Sequence, residues 1–226
     1  MHALCADLSD RSNSTEKPIW TGGGEMIQSD RANILIVGVG GQGVLLASEV
    51  ISDVAMNAGL DVKKSEIHGM SQRGGVVSSH VKIAPKVYSP TIGDGQADIL
   101  MAFEQAEGLR AVGWMHFDGI AIVSRTQLIP AIVSGSKIHH YPEDAIGDLR
   151  KKLKRVIAVP ADQIAGELGN PRLVNTILLG VLSNNLPFDD QLWLDTIRAK
   201  VKKNLVEINL TAFQRGRAIT LETIKA

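Results

Sequence analysis

The chain has 226 residues, of which 44% are hydrophobic and 21% are charged, a length and composition typical of one folded domain and unlike those of a disordered protein. Lysine and arginine together number 24 and so do aspartate and glutamate, so no overall basic field indicates binding to nucleic acid or an anionic membrane. This balance favours a protein or a small molecule as the partner.

The N-terminal segment, residues 1–31, is rich in Ser, Gly, Asp and Asn and has no hydrophobic periodicity. We therefore expect a flexible leader followed by one domain over residues 32–226. The leader lacks the cationic start and apolar stretch of a secretory signal, and no apolar run reaches the ~18 residues of a membrane span. A soluble, cytoplasmic protein is therefore expected. The single cysteine, Cys5, can neither form a disulfide within the chain nor ligate an iron–sulfur cluster alone.

The first predicted element is a strand at residues 34–37, within the sequence NILIVGVGGQG at residues 33–43. Its apolar run is typical of a strand covered on both faces, and Gly38, Gly40 and Gly43 then fit the pattern GxGxxG. Apolar residues spaced by four after this loop predict a helix that ends at Gly59. The loop would bring backbone N–H groups at the positive end of this helix close to an anion, or it is only a tight turn.

Two further strands are predicted at residues 60–66 and 76–83. Only about nine residues lie between them, whereas a parallel crossover needs a dozen or more. We therefore expect these strands to be antiparallel or perpendicular. This arrangement departs from the repeated βαβαβ pattern of a dinucleotide-binding fold.

The rest of the chain alternates apolar runs with helical patterns and becomes mostly helical after residue 161. Helix starts are indicated by Asn170 followed by Pro171 and by Asp189, which precedes an apolar stripe of Trp193, Ile197, Val201 and Leu205. Strands are predicted at residues 98–103, 119–124, 138–141 and 156–159, and helices at residues 104–114 and 142–153. The fold class is therefore α/β: a single Rossmann-like layered domain, with a mixed sheet flanked by helices and a mostly helical C-terminal part.

Polar side chains are unusually dense in the segment SEIHGMSQRGGVVSSH, residues 65–80. Polar groups directly after a core strand are typical of a loop that contacts a ligand or a partner. The Arg73 guanidinium could bind a carboxylate or phosphate with two hydrogen bonds; the alternative is a surface loop with an Arg–Glu pair of little energetic value. The candidate residues of this segment are Glu66, His68, Arg73, Gly74, Gly75 and Ser78.

Other site classes find less support in the sequence. Glu66 lies 23 residues after Gly43, about where a ribose-binding acid falls, so a stand-alone nucleotide-binding module stays open as an alternative. His68 with His80, and His139 with His140, have no third ligand at metal-site spacing, and we predict no metal. The motifs GxSxG, HExxH, GxxxxGK[ST] and CxxC do not occur, so no complete active site is evident.

Three stretches resemble a known family: residues 38–83, DILMAFEQAEGLR at residues 98–110, and NLTAFQRG at residues 209–216. They are similar to the gamma subunit or gamma domain of 2-oxoacid:ferredoxin oxidoreductases, and the resemblance covers residues 33–217. Its most specific parts are the GxGGQG loop and, after it, HGMSQRGG at residues 68–75. The form that this second motif takes here, SEIHGMSQRGG at residues 65–75, favours the indolepyruvate branch of the family.

This resemblance implies a subunit of an enzyme that oxidatively decarboxylates 2-oxoacids, chiefly arylpyruvates, to acyl-CoA and CO2 and passes electrons to ferredoxin. It implies that thiamine diphosphate and the iron–sulfur clusters belong to a large alpha subunit, so that no cofactor is expected on this chain itself. The alternatives are the nucleotide-binding module and a scaffold that keeps the fold without the chemistry.

The resemblance also places the candidate residues in two groups. Gly38, Gly40, Gly41, Gln42 and Gly43 would form a turn that faces the partner subunit or the CoA side of the cleft. Glu66, His68, Arg73, Gly74, Gly75 and Ser78 would lie near the active site between the subunits. Arg73 is expected to bind the substrate carboxylate or a CoA phosphate, whereas Glu66 and His68 receive no individual role.

Overall fold

The computed structural model describes residues 30–69, 75–129 and 140–220. Two of the candidate site residues, Arg73 and Gly74, lie outside these ranges. The leader expected over residues 1–31 also lies outside them, except for its last two residues. The positions of these residues and the boundary between leader and domain therefore stay predictions.

The described part of the chain contains six strands: β1 (Ala32–Val39), β2 (Asp61–His68), β3 (Val76–Ala84), β4 (Ala97–Ala102), β5 (Met115–Ser124) and β6 (Arg155–Val159). They form one sheet in the order β2-β3-β1-β4-β5-β6. β1, β4, β5 and β6 run parallel to one another, while β3 pairs antiparallel with both β1 and β2. Of the two arrangements predicted for the second and third strands, antiparallel or perpendicular, the structure has the antiparallel one.

Helices cover both faces of this sheet: α1 (Val44–Asn57), α2 (Gln105–Arg110), α3 (Ala145–Lys152), α4 (Ala161–Glu167), α5 (Val174–Ser183), α6 (Asp190–Lys200) and α7 (Val206–Arg217). One core contains Ile34 and Ile36 of β1 together with residues of α1 and α4 to α7. The other contains Leu35 and Val37 with residues of α3 and partly buried Leu109 of α2. Because alternate residues of β1 enter opposite cores, the fold has three layers, and the predicted α/β class is confirmed.

The ends of several helices differ from the sequence-based predictions. The helix expected over residues 142–153 begins only at Ala145, since the Asp144 side chain accepts a hydrogen bond from the Gly147 N–H at 2.8 Å and caps it there. The helix expected over residues 104–114 changes to a 3-10 turn, Ala111–Trp114, after α2. Local capping and turn geometry therefore set ends that periodicity left open.

Two other predictions for this half of the chain were wrong in part. The apolar stripe that starts at Trp193 does not belong to one helix, because α6 ends at Lys200 and Val201 has an extended backbone. His140 and Tyr141 are not in a strand, and the remainder of the edge strand expected at residues 138–141 lies outside the described residues. The stretch between α6 and α7 is therefore free to form the wall of a cleft.

The C-terminal helices pack unusually closely. A Cβ atom added at Gly180 of α5 would overlap the Phe213 carbonyl oxygen of α7, and one added at Gly216 would overlap the Ile177 carbonyl oxygen. Beside this contact, the fully buried Trp193 ring lies 6.0 Å from the Phe213 ring. Glycine at both positions lets the helix backbones approach and fixes α7 against the sheet-facing helix α5. No helix in the described ranges is long and apolar enough to span a membrane.

Candidate functional site

The glycine loop between β1 and α1 is a tight turn that needs glycine at several positions. Gly41 and Gly43 have φ angles of 101° and 91°, in the left-handed region that favours glycine. A Cβ atom added at Gly38 would lie 2.9 Å from both Gln42 Oε1 and Phe103 Cβ. The predicted loop is therefore present, and backbone conformation or close packing explains the glycines at positions 38, 41 and 43.

The Gln42 side chain turns back and holds this loop to the sheet. Its Oε1 accepts a hydrogen bond from the Val39 N–H at 2.7 Å, and its Nε2 donates to the Phe103 carbonyl oxygen at 3.0 Å. The Gly40 N–H also donates to the Gly75 carbonyl oxygen at 2.9 Å. These bonds join the loop to the end of β1, the end of β4 and the start of β3.

A cleft of about 760 Å³ opens beside the loop. It lies at the carboxyl ends of β1, β5 and β6, where the loops after β1 and β5 provide Gly41 and Thr126 and the first turn of α4, after β6, provides Asp162. The helix after β1 covers one face of the sheet, and the helix after β4 covers the other face. Ligands of α/β proteins commonly bind between two neighbouring strands whose following helices lie on opposite faces in this way. From the C-terminal half, the lining residues include Asn170, Arg172, Leu173, Asn175, Lys200, Lys202 and Leu205.

The charges that line the cleft are mainly positive. Lys200 is paired with Asp53 of α1 at 2.9 Å and lies 3.7 Å from Glu49; the bond to Asp53 raises the pKa of Lys200 above its usual value. Arg172 and Lys202 form no ion pair within the described part of the chain. Asp162 is the acidic residue of the lining, so the two unpaired cations dominate the local charge.

Asn175 lies at the junction of the glycine loop and α5. Its side chain is buried, and its Oδ1 accepts the Thr176 N–H at 2.8 Å. The Thr176 hydroxyl in turn donates to Asn209 Oδ1 at 2.7 Å, and Asn209 Nδ2 donates to the Leu205 carbonyl oxygen at 2.8 Å. This chain of bonds fixes the orientation of Asn175 at the wall of the cleft.

Glu66 and His68 lie together on β2 but away from this cleft. Glu66 Oε1 is 3.0 Å from Lys64 Nζ, and Glu66 Oε2 is 3.9 Å from His68 Nε2. Glu66 is opposite Ser79 in the strand register, whereas Ser78 is opposite Ile67. Because side chains alternate along a strand, Ser78 points to the other face of the sheet from Glu66.

The structure therefore brings only part of the predicted site together. Gly41, Gln42 and Gly43 line the cleft, and Gly75 contacts the same loop through Gly40. Glu66, His68 and Ser78 are not among the residues that line it. The nucleotide-binding alternative required Glu66 beside the glycine loop, but β3 separates its strand from β1.

Glu104 is a buried acid that the sequence analysis did not single out as a site residue. Its Oε2 accepts the Glu107 N–H at 2.8 Å and its Oε1 accepts the Leu128 N–H at 3.4 Å. The Tyr141 hydroxyl also donates to Oε1, and burial, together with this bond, raises the Tyr141 pKa above its usual range. Glu104 thus fixes the stretch that carries Leu128 to the cleft. The sequence feature that could have identified Glu104 is its position as an acid between a buried strand and the start of a helix.

Metal binding has no support from these contacts. Within the ranges that the structure describes, no group of three or more histidine, cysteine, aspartate and glutamate side chains is placed to hold a metal ion. His68 and His80 lie on opposite faces of the β2–β3 pair, since they are opposite Val77 and Ser65 respectively. Of the two histidines at residues 139 and 140, the first lies outside the described residues.

Comparison with known proteins shows the family to which this α/β chain belongs. Residues 33–219 match the family described as pyruvate ferredoxin/flavodoxin oxidoreductase, and the chain belongs to this family. It is 40% identical over 190 residues to the indolepyruvate oxidoreductase subunit IorB of Archaeoglobus fulgidus, with 82% of this chain and 94% of the relative covered. It is 31% identical over 191 residues to the subunit of the same name from Thermococcus kodakarensis, with 81% and 93% covered.

Solved structures show the same fold. The pyruvate oxidoreductase subunit PORC of Thermotoga maritima superposes with a TM-score of 0.64 at 19% identity, with 84% of this chain and 97% of that chain covered. The 2-oxoglutarate:ferredoxin oxidoreductase of Magnetococcus marinus gives a TM-score of 0.67 at 20% identity, with 84% and 31% covered. The family match and the two IorB relatives, together with this fold, show that the chain is a subunit of a 2-oxoacid:ferredoxin oxidoreductase, as the resemblance implied. None of these relatives is a stand-alone nucleotide-binding module.

Proposed function

We propose that this chain is the small subunit of an indolepyruvate-type oxidoreductase. The complex would oxidatively decarboxylate arylpyruvates to acyl-CoA and CO2 and pass the electrons to ferredoxin. The observation that carries this proposal is the 40% identity across 94% of the Archaeoglobus fulgidus relative, whose name specifies indolepyruvate. A match over nearly the full length of a separate subunit supports the same division of labour between chains.

The partner in this proposal is a large alpha subunit that carries thiamine diphosphate and iron–sulfur clusters. When bound, these groups supply decarboxylation and electron transfer. The only cysteine of this chain is Cys5, and a cluster needs several thiolates, which supports placing the clusters on the partner. CoA and ferredoxin complete the set of proposed partners.

The role of this chain is to complete the cleft between the subunits. The bond between the Gly40 N–H and the Gly75 carbonyl oxygen keeps Gly75, the residue directly before β3, next to the glycine loop. Gly38, Gly40, Gly41, Gln42 and Gly43 would then face the partner or CoA, and Glu66, His68, Gly74, Gly75 and Ser78 would border the same interface. Such residues act by orienting substrate and excluding water.

Reconstitution with the alpha subunit tests the proposal. The two chains are expressed together, purified as a complex, and assayed for reduction of ferredoxin with indolepyruvate, pyruvate or 2-oxoglutarate in the presence of CoA. We expect activity only from the complex, with the highest kcat/KM for indolepyruvate. Turnover by this chain alone, or a clear preference for 2-oxoglutarate, would contradict the proposal.

Arg73→Ala is expected to raise the KM for indolepyruvate or for CoA by about tenfold to a hundredfold in the assembled enzyme. The estimate reflects the loss of a hydrogen bond to a charged group, worth about 1.5–3 kcal/mol. Size-exclusion chromatography verifies that the complex still forms. The control is Arg198→Ala, which removes an exposed arginine paired with Asp195 at 2.8 Å and should leave both constants unchanged. Unaltered kinetics of Arg73→Ala would exclude this arginine from substrate binding.

A further inference from the structure

Three successive residues at the carboxyl end of β4, Phe103, Glu104 and Gln105, contact two different parts of the cleft wall. They belong to DILMAFEQAEGLR at residues 98–110, one of the stretches that resemble the family, and the proposed function gives them no role. Phe103 is 0% exposed and Glu104 is 1% exposed. Because they are buried, their contacts show what this part of the chain holds in place.

Phe103 holds the wall that the glycine loop forms. Its N–H donates to the Val37 carbonyl oxygen at 2.9 Å, next to the pairing of β4 with β1. Its carbonyl oxygen accepts a hydrogen bond from Gln42 Nε2 at 3.0 Å, and Gln42 lines the cleft. The position of the glycine loop therefore depends on the end of β4.

Glu104 and Gln105 hold a second part of the wall, which follows β5. The Gln105 N–H donates to the Thr126 carbonyl oxygen at 3.2 Å, and Glu104 Oε1 accepts the Leu128 N–H at 3.4 Å. Thr126 and Leu128 both line the cleft. The end of β4 therefore fixes this second part of the wall relative to the glycine loop.

Tyr141 fixes the side chain of Glu104 in this position. The Tyr141 hydroxyl donates to Glu104 Oε1, the same oxygen that accepts the Leu128 N–H. The other oxygen, Oε2, accepts the Glu107 N–H in the first turn of α2 at 2.8 Å. Water has little access to Glu104, and a buried polar group that loses a partner is costly. Without the Tyr141 hydroxyl, the carboxyl group could turn away and release Leu128.

We propose that Glu104 and Tyr141 are positioning residues of the assembled enzyme, which fix Thr126 and Leu128 relative to the glycine loop. The proposal rests on the proposed function, in which this loop faces the partner or CoA. Glu104 and Tyr141 are not among the residues that line the cleft, so they act through Leu128. A wall that is already in place when a substrate binds loses less conformational entropy. Loss of either residue should therefore weaken the use of CoA and leave the chemical step unchanged.

Steady-state kinetics of the complex with the alpha subunit test this role. Tyr141→Phe removes only the hydroxyl, and we expect it to raise the KM for CoA about three- to tenfold. The kcat and the KM for indolepyruvate should stay within about twofold of the wild type. The control Tyr88→Phe removes the hydroxyl of the other tyrosine in the chain, which is 89% exposed, and it should leave all three constants unchanged.

Glu104→Gln is a second variant that changes the same contact from the other side. Its amide places an N–H group where a carboxyl oxygen now accepts one, so the KM for CoA should rise at least as much as in Tyr141→Phe. Circular dichroism and size-exclusion chromatography verify that this buried substitution folds and assembles. If both residues act through one hydrogen bond, the double variant should raise this KM by less than the product of the two single effects.

The proposal is overturned if Tyr141→Phe assembles and keeps the wild-type KM for CoA. It is also overturned if the kcat and the KM for indolepyruvate worsen to the same extent, or if Tyr141→Phe fails to assemble, since either result would give the bond a purely structural role. A wild-type complex that is inactive on indolepyruvate would instead refute the proposed function. The two failures are therefore distinguishable.

Discussion

Replacement of Gly180 by alanine is expected to lower the free energy of unfolding by about 3 kcal/mol or more. The new methyl group would overlap the Phe213 carbonyl oxygen and would also lie 2.9 Å from the Arg217 nitrogen. Both atoms belong to the backbone of α7 and cannot rotate away as a side chain could, so α5 and α7 must move apart. Urea unfolding followed by circular dichroism measures the loss.

Gly166→Ala is the matched control for this substitution. Gly166 also lies in a helix, α4, but an added Cβ atom meets nothing within 4 Å. Alanine is the better helix former by up to about 1 kcal/mol, so this variant should be as stable as the wild type or slightly more stable. If Gly180→Ala were equally harmless, the close approach of α5 and α7 would be wrong, and with it the shape of the cleft wall that these helices support.

The sheet was predictable because its signals are local. The parallel strands β1, β4, β5 and β6 each contain an apolar run, and the short connection between β2 and β3 excluded a helical crossover. Helix ends were less predictable, since they depend on which side chain caps a given N–H group. Asp144 caps α3 at Gly147, whereas the sequence signals at Pro142 and Glu143 were equally compatible with an earlier start.

The candidate site was predictable on one side only. The glycine loop has a recognisable pattern, but Arg172, Asn175 and Lys202 carry no motif and line the same cleft only through the packing of helices distant in the sequence. Alternation along β2 was sufficient to place Glu66 and His68 on one face. Ser78 could be assigned to the other face only from the register between β2 and β3, which depends on their pairing.

Gln42→Glu is expected to lower the free energy of unfolding at pH 7 by about 2–4 kcal/mol, because it breaks one hydrogen bond and places a charge beside a carbonyl oxygen. The amide Nε2 now donates to the Phe103 carbonyl oxygen at 3.0 Å, and a carboxylate has no proton to donate there. The introduced carboxyl group could donate once it is protonated, so folding would raise its pKa. The defect should therefore shrink as the pH falls from 7 towards 5, which urea unfolding at both values measures.

Gln96→Glu makes the same change of charge at an exposed position. Gln96 Oε1 accepts the Gly93 N–H at 3.3 Å, a bond that a carboxylate preserves, so this variant should stay close to the wild type at both pH values. The comparison separates two roles for Gln42. If Gln42→Glu matched this control, the amide would not be needed to hold the loop and would be available to contact the partner or CoA, as the resemblance implied. A pH-dependent loss of unfolding free energy that occurs only in Gln42→Glu means that the Gln42 side chain positions the loop. Any contact of the loop with a ligand would then be made by its backbone N–H groups.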